Sequence, residues 1–451
     1  MNKDYLIQEK PLRALLLFAL PMMIGNLFQQ FYTMVDSVVV GRFVSEQALA
    51  AVGASYSLTT VFISIATGGG VGASVITGQY FGAKDYRGMK ASIRTALSTF
   101  LVVSLVLGGF GLLFSREIMI ALNTPEEVLA QATEYLNIYF LGLPFLFMYN
   151  VLAAMFNALG RSKIPLYLLI FSSLFNIGLD VFMVCSLHMG VAGVAWATLI
   201  AQGISAVFAF LIFMKELRQY AKGERVAWFY QEEFKNMTKV ALPSILQQST
   251  VSIGMMLVQS VVNSFGAEML AGFSAAMRIE SLCVVPMAAM GNAISSYTAQ
   301  NIGARKFERV KQGYHTGYAI VACIAILLCL WLELFYQPLI QLFLGEEGTQ
   351  VAIQTGVGYL QFMGWFFVLI GLKMITDGVL RGAGDMTMFT IANLVNLSIR
   401  VVVAITMAPR FGISMVWVAV PIGWLANYLI SFVEYRSGKW QGSPTANHHH
   451  A

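Results

Sequence analysis

The fold of this chain turns on QYFGAK, residues 79–84, and its counterpart QNIGAR, residues 300–305. Both close a long apolar run with Gln, a Gly-Ala pair and a basic residue, and about 221 residues separate them. Other pairs keep nearly the same offset. Ala19-Leu20-Pro21 matches Ala241-Leu242-Pro243, VDSVV at 35–39 matches VQSVV at 258–262, and Gly160 and Gly384 fall in equivalent loops. The chain therefore reads as a tandem duplication, each half repeating the fold of the other.

Around these motifs the composition is that of a membrane protein. Hydrophobic residues make up 57% of 451, charged residues 11%, and the mean hydropathy is +0.70. A soluble chain would carry large exposed apolar patches at that composition. Apolar runs long enough to cross a bilayer lie at 14–40, 49–80, 91–114, 129–155, 164–186, 190–214, 237–264, 268–300, 313–338, 351–379, 386–407 and 412–434. They lack the alternation of barrel strands, and lipid offers no water to free backbone groups, so all are predicted to be helices. The expected fold is an all-α polytopic membrane protein of twelve transmembrane helices. With an even number of spans per half, both halves enter the membrane in the same direction. That predicts two parallel-repeat six-helix lobes around a central cleft: an N-terminal lobe at 1–214, a C-terminal lobe at 237–436, and a polar inter-lobe loop at 215–236. The tail, 437–451, ends in ANHHHA and reads as a tag remnant, so His448, His449 and His450 are set aside.

Basic residues orient the chain. With both termini cytoplasmic, most of the 28 Lys and Arg fall inside; Arg42, Arg116 and Arg410 fall outside, and Arg278, Lys373 and Arg400 lie within spans. The net charge of +5 then reflects topology and anionic lipid, and no nucleic-acid surface is expected. Cys185, Cys283, Cys323 and Cys329 sit in apolar spans without ligand spacing and read as packing residues. No cleavable signal peptide is expected, since the first apolar run continues directly into a long helix. The absence of HExxH, GxSxG and a phosphate loop argues against a membrane enzyme or a nucleotide-driven pump. The two-lobe repeat argues for alternating access over a channel.

Polar residues inside the spans carry the functional reading. Asp180 and Asn176 lie four apart in FNIGLDVFMV and share a helix face. Topology places Asp36 near the outer end of the first span and Thr198 near the outer start of the sixth, at similar depth. Two carboxylates, an amide and a hydroxyl suit a proton or a hard monovalent cation. Asp36 also reads as an interfacial residue reaching water, and Asn176 as an interhelical hydrogen bond. In the second half, Lys373, Asp377 and Arg381 recur every four residues, with Glu280 and Arg400 near mid-membrane. They read as ion pairs that neutralise one another, or as participants in substrate or ion transfer. Arg278 and Glu280, two apart, face different ways. Pro21 interrupts the first helix and marks a bending point.

Pro21, MVDSVVVGRF, GQYFGA with its repeat AQNIGA, NALGRSKIP, FNIGLD and GVAGVAWAT together resemble a multidrug and toxic compound extrusion (MATE) transporter, over nearly the whole chain. The resemblance implies a secondary active multidrug exporter in the cell membrane, without cofactor or nucleotide. It implies antiport of amphipathic organic cations against H+ or Na+, with Asp36, Asn176, Asp180 and Thr198 as the coupling site. In the repeat Asp36 faces Gln259, Asn176 faces Arg400 and Thr198 falls near Val420, so the acidic site is not duplicated. The seventh span reads Leu246-Gln247-Gln248 where NorM-like members carry an acid, which favours the DinF-like branch. Gln29, Asn150, Asn157, Gln248 and Gln259, among abundant Met and Phe, are candidates for the substrate cavity, and a functional monomer is expected. The alternative is a lipid-linked or polysaccharide precursor flippase of related fold, kept open by Arg278, Lys373 and Arg400.

Overall fold

The computed structural model describes residues 4–39, 43–44, 46–122, 124–220, 226–345 and 348–442, and their side chains apart from positions 35–39, 46–49 and 57. Helices account for nearly all of these residues. They are α1 Tyr5–Gln8, α2 Pro11–Val39, α3 Glu46–Gly82, α4 Tyr86–Ala121, α5 Glu126–Ala158, α6 Lys163–Val181, α7 Gly190–Leu217, α8 Gln231–Asn263, α9 Ala267–Gly303, α10 Phe307–Leu344, α11 Gln350–Gly364, α12 Phe367–Ala383, α13 Met386–Phe411 and α14 Ser414–Ser437. A π-helical turn, Phe182–Ser186, extends α6.

Eleven of the described helices are long and apolar enough to cross a membrane, and the pair α11–α12 makes a twelfth span bent by 55°. The sequence predicts that tenth span as one helix, 351–379. It breaks at Gly364-Trp365-Phe366, where the Phe366 N–H turns back tightly to the Met363 carbonyl at 2.9 Å. Gly364, with its low helix propensity, stands at the break.

QYFGAK and QNIGAR fold into the same turn. Ala83 and Ala304 donate to the carbonyls of Gln79 and Gln300, at 2.9 and 3.0 Å, and Asp85 and Lys306 donate to those of Tyr80 and Asn301, at 3.0 and 2.8 Å. Between them Lys84 and Arg305 take left-handed backbone, φ 60° and 56°. For a residue with a Cβ that conformation costs about 1–2 kcal/mol, and both halves accept it at the same place. Gly160 and Gly384 likewise share a positive φ, 74° and 80°, where glycine carries no such cost.

Contacts divide the chain into two compact units, Ile24–Ile245 and Met1–Met23 with Leu246–Ala451. The division differs from the sequence-based one at loop 215–236: it falls inside α2, just after Pro21, and inside α8, just after Pro243. The reason is local packing. In the unit Ile24–Ile245, Gly68 and Gly72 on α3 let the start of α8 approach so closely that a Cβ would lie 2.7 Å from Ile245 N and 2.4 Å from Ala241 N. Tyr80 Oη donates to Glu233 Oε1 of α8 at 2.8 Å. The preceding segment is tied to α4: Arg94 donates to the Val226 carbonyl, Ser98 Oγ to the Trp228 carbonyl at 2.9 Å, and the Tyr230 N–H to Thr95 Oγ1 at 3.1 Å. The core of this unit packs Phe62, Phe140 and Phe147 with Leu136, Leu143 and Met119.

In the other unit, α9 packs against α10, α11 and α12, and α14 against α12 and α13. Gly272, Gly378 and Gly382 bring backbones together; a Cβ at any of them would lie 2.1–2.4 Å from a carbonyl oxygen of a neighbouring helix. The short α1 buries Tyr5, Leu6 and Ile7 here. Asn301 Nδ2 donates to the Leu6 carbonyl at 3.1 Å, Arg309 to the carbonyls of Leu6 and Glu9 at 3.2 and 2.7 Å, and Lys306 Nζ to that of Ile7 at 3.2 Å. The four cysteines are unpaired thiols; Cys283 is buried as expected, whereas Cys185 and Cys323 lie on exposed helix faces.

Candidate functional site

In the unit Ile24–Ile245, α6 presents Asn176 and Asp180 one turn apart, 2% and 0% exposed. The Asn176 carboxamide is satisfied when its nitrogen faces Asp180 Oδ2 at 3.2 Å and Tyr32 Oη, and its oxygen accepts from the Thr198 N–H at 3.1 Å. Thr198 Oγ1 donates to the Val194 carbonyl at 3.0 Å and lies 3.4 Å from the carboxamide. Thus α6 and α7 bring together three of the four residues expected to form the ion site. The fourth, Asp36, falls on α2, and its side chain lies outside the described residues. Tyr32 was missed by sequence reasoning; its position one helical turn before Asp36, on the same face of the first span, is the signal that points to it.

The cluster encloses a carboxylate with an amide, two hydroxyls and a backbone N–H. An ionised carboxylate in that setting forfeits much of its hydration. Protonation, or an oxygen-coordinated monovalent cation, relieves the cost, so the arrangement suits reversible uptake of either.

The remaining candidates distribute as follows. Gln29 is exposed on α2, and Asn150 Nδ2 donates to the Leu146 carbonyl of its own helix at 2.8 Å. Asn157 lies two turns farther along α5, half-buried. In the other unit Gln248 is exposed, and Gln259 is half-buried and lines a cavity. No hydrogen bond described links any two of these five.

Of the ion pairs expected in the C-terminal half one forms, and the remaining charges lie in distinct places. Lys373 and Asp377 do pair, Nζ to Oδ2 at 3.0 Å, both buried. Ser431 Oγ donates to Asp377 Oδ1 at 2.7 Å, and Lys373 Nζ donates to Asn393 Oδ1 at 3.3 Å. Arg381 instead bonds to α9, donating to Asn292 Oδ1 at 2.8 Å, the Gly291 carbonyl at 3.3 Å and Ser295 Oγ at 3.4 Å. Glu280 is buried and accepts from Tyr359 Oη, and Arg400 lines the cavity with Arg278, Gln259 and Tyr359. The sequence offered no pointer to Tyr359, Asn393 or Ser431, because a single hydroxyl or amide in an apolar helix is common.

The α12–α13 turn holds a further acid. Burial, and the neighbouring carboxylate of Glu434 on α14, push the Asp385 carboxyl up to about 6, with Lys439 opposing. At the corresponding corner of the other unit opposite charges meet, Arg161 with Glu216 at 2.9 Å.

The similarity to known proteins extends over nearly the whole chain. The family described as MatE matches residues 21–182 and 243–406, one stretch in each half. "Probable multidrug resistance protein YpnP" of Bacillus subtilis is 29% identical over 436 residues, 96% of this chain and 97% of that protein. A structure described as the outward-facing conformation of a multidrug resistance MATE family transporter of the MOP superfamily superposes with a TM-score of 0.88 at 25% identity, over 98% of this chain and 99% of that one. A structure described as MATE in the bent conformation does so with the same score and identity over 99% of both chains.

Proposed function

This chain belongs to the MatE family of multi-pass membrane transporters, and we propose that it exports amphipathic organic cations from the cell by antiport against protons or sodium ions. It is a multidrug efflux transporter and not an enzyme. The observation that carries the coupling mechanism is the enclosed cluster of Tyr32, Asn176, Asp180 and Thr198. Proton or sodium uptake neutralises Asp180 and redistributes the hydrogen bonds that tie α6 to α2 and α7. Asp36, on α2, adds a second carboxylate to the same site.

Pro21 removes a backbone donor from α2 and lies two residues before the point where that helix passes from one compact unit to the other. A similar transporter has been solved in a bent conformation. We therefore take Pro21 as the hinge through which the ion changes the shape of α2. Because coupling is reciprocal, substrate affinity falls as the ion binds, and ion affinity falls equally as substrate binds. Both termini are cytoplasmic, the transporter sits in the plasma membrane, and the monomer is the functional unit. Gln29, Asn150, Asn157, Gln248 and Gln259 are proposed substrate contacts.

The test is efflux from proteoliposomes with proton and sodium gradients imposed separately. Either gradient driving efflux identifies the coupling ion. Folded protein that exports under neither overturns antiport, and substrate affinity that is unchanged across pH and sodium concentration overturns the reciprocal mechanism.

A further inference from the structure

The cavity in the unit containing residues 246–451 has a volume of about 280 Å³, at the small end of ligand-sized pockets. Met255, Phe273 and Met277 give it apolar, adaptable walls, yet two guanidiniums, Arg278 and Arg400, also line it. Among the described residues no carboxylate forms an ion pair with either. Glu280, within electrostatic reach of Arg400, is engaged by Tyr359. The Arg400 Nε is buried with no hydrogen-bond partner. The protein thus leaves the Arg400 guanidinium without a full set of acceptors, and an anion in the cavity that Arg400 lines supplies acceptors to the part of the fork that faces it. The stem of Arg400 has its lane through Gly423, where a Cβ would lie 3.2 Å from Arg400 Cγ.

The repeat gives an independent argument. At the offsets that pair the two halves, Met255, Gln259, Arg400 and Val420 occupy the positions of Tyr32, Asp36, Asn176 and Thr198, and Ala404 that of Asp180. All four of the first set line the cavity. It is thus the duplicate of the acidic site, with both carboxylates gone and a guanidinium in place of the amide.

We propose that this cavity binds the carboxylate of an amphipathic organic molecule, its apolar body against the methionine and phenylalanine wall and its carboxylate on Arg400 and Arg278. A guanidinium fork matches a carboxylate in geometry as well as charge. The volume and apolar walls favour an organic ligand over a single inorganic ion. This widens the range of the transporter from cations to zwitterions and acids, and it stands on the geometry of this unit, whatever ion couples at Asp180.

The test uses the full chain in phosphatidylcholine nanodiscs, with a dansylated undecanoic acid as probe and its methyl ester as the uncharged control. The acid binds at least about ten-fold more tightly than the ester, the scale of a charge-assisted hydrogen bond, and Arg400→Gln brings it down to the ester's affinity. Arg278→Gln weakens the acid alone; because Arg278 is exposed, this variant carries the test if Arg400→Gln fails to fold. Displacement of the probe by a zwitterionic aromatic drug assigns the site to transported molecules, and displacement by oleate alone assigns it to lipid. Equal binding of acid and ester, loss of neither acid affinity in the two folded variants, or displacement by neither competitor overturns the proposal.

Discussion

The two halves of this transporter share a scaffold and differ in what they place inside it. At the α3–α4 and α9–α10 turns the backbone bonds from Gln79 to Asp85 recur from Gln300 to Lys306, down to left-handed Lys84 and Arg305. At the repeat-related site, one unit encloses Asn176 and Asp180, while the other sets Arg400 and Arg278 around a cavity. The lesson concerns which features a duplicated chain is free to change. A turn is fixed by backbone geometry, which both copies need to connect their helices. An enclosed polar group answers to its immediate neighbours rather than to the connection between helices, so the two copies can take opposite charge.

The largest effect is expected of Asp180→Asn, which keeps shape and removes the exchangeable proton. Gradient-driven efflux should fall to background while thermal stability stays near that of the wild type; undiminished efflux would remove Asp180 from coupling. Asp377→Asn tests whether the other unit's buried acid is structural. It leaves Lys373 without its anion, which for a buried pair costs about 3–5 kcal/mol, so melting temperature and expression should drop. A stable Asp377→Asn protein with altered ion-to-substrate stoichiometry would place coupling chemistry in both units.

Tyr80→Phe deletes the bond to Glu233 on α8 and should cost about 1 kcal/mol, read as a lower unfolding midpoint. Asn301→Ala, at the paired position, should cost more, since it removes two described donor bonds and one acceptor bond. The smallest effect belongs to the pair of carboxylates at Asp385 and Glu434. Because the native Asp385 is raised to about 6 from an ordinary 3.8, the folded state holds the proton more tightly. The contribution of this carboxyl to stability is therefore most favourable below about pH 4 and declines as pH rises to about 6. Asp385→Asn should be more stable than the wild type at pH 7, by about 1 kcal/mol or less after solvent screening, with the difference vanishing below pH 4. A constant difference across that range would deny Asp385 its shifted titration.

Much of this was legible in the sequence. Apolar length and the QYFGAK repeat specify the helices and the duplication because lipid admits few alternatives. Asn176 and Asp180 were legible as neighbours because their spacing matches a helical turn. The rest depends on contacts distant along the chain. Tyr32 meets Asn176 across 144 residues, and no local pattern reports that. The break in the tenth span needs no proline, so it left little mark. Nor did the division of α8 between units, which follows from Gly68 and Gly72 on a different helix. The C-terminal charges looked like one set because a four-residue spacing aligns Lys373, Asp377 and Arg381; Arg381 found better acceptors on α9.

The anchoring of α1 also sets an order of events during synthesis. Leu6 is held by Asn301 and Arg309, 295 and 303 residues later in the chain. At roughly 5–20 residues per second, residues 5–7 are made on the order of fifteen seconds to a minute before the partners that bury them. Throughout that interval Tyr5, Leu6 and Ile7 are an uncovered apolar segment of the nascent chain. The α1 segment is thus made long before it can find its place.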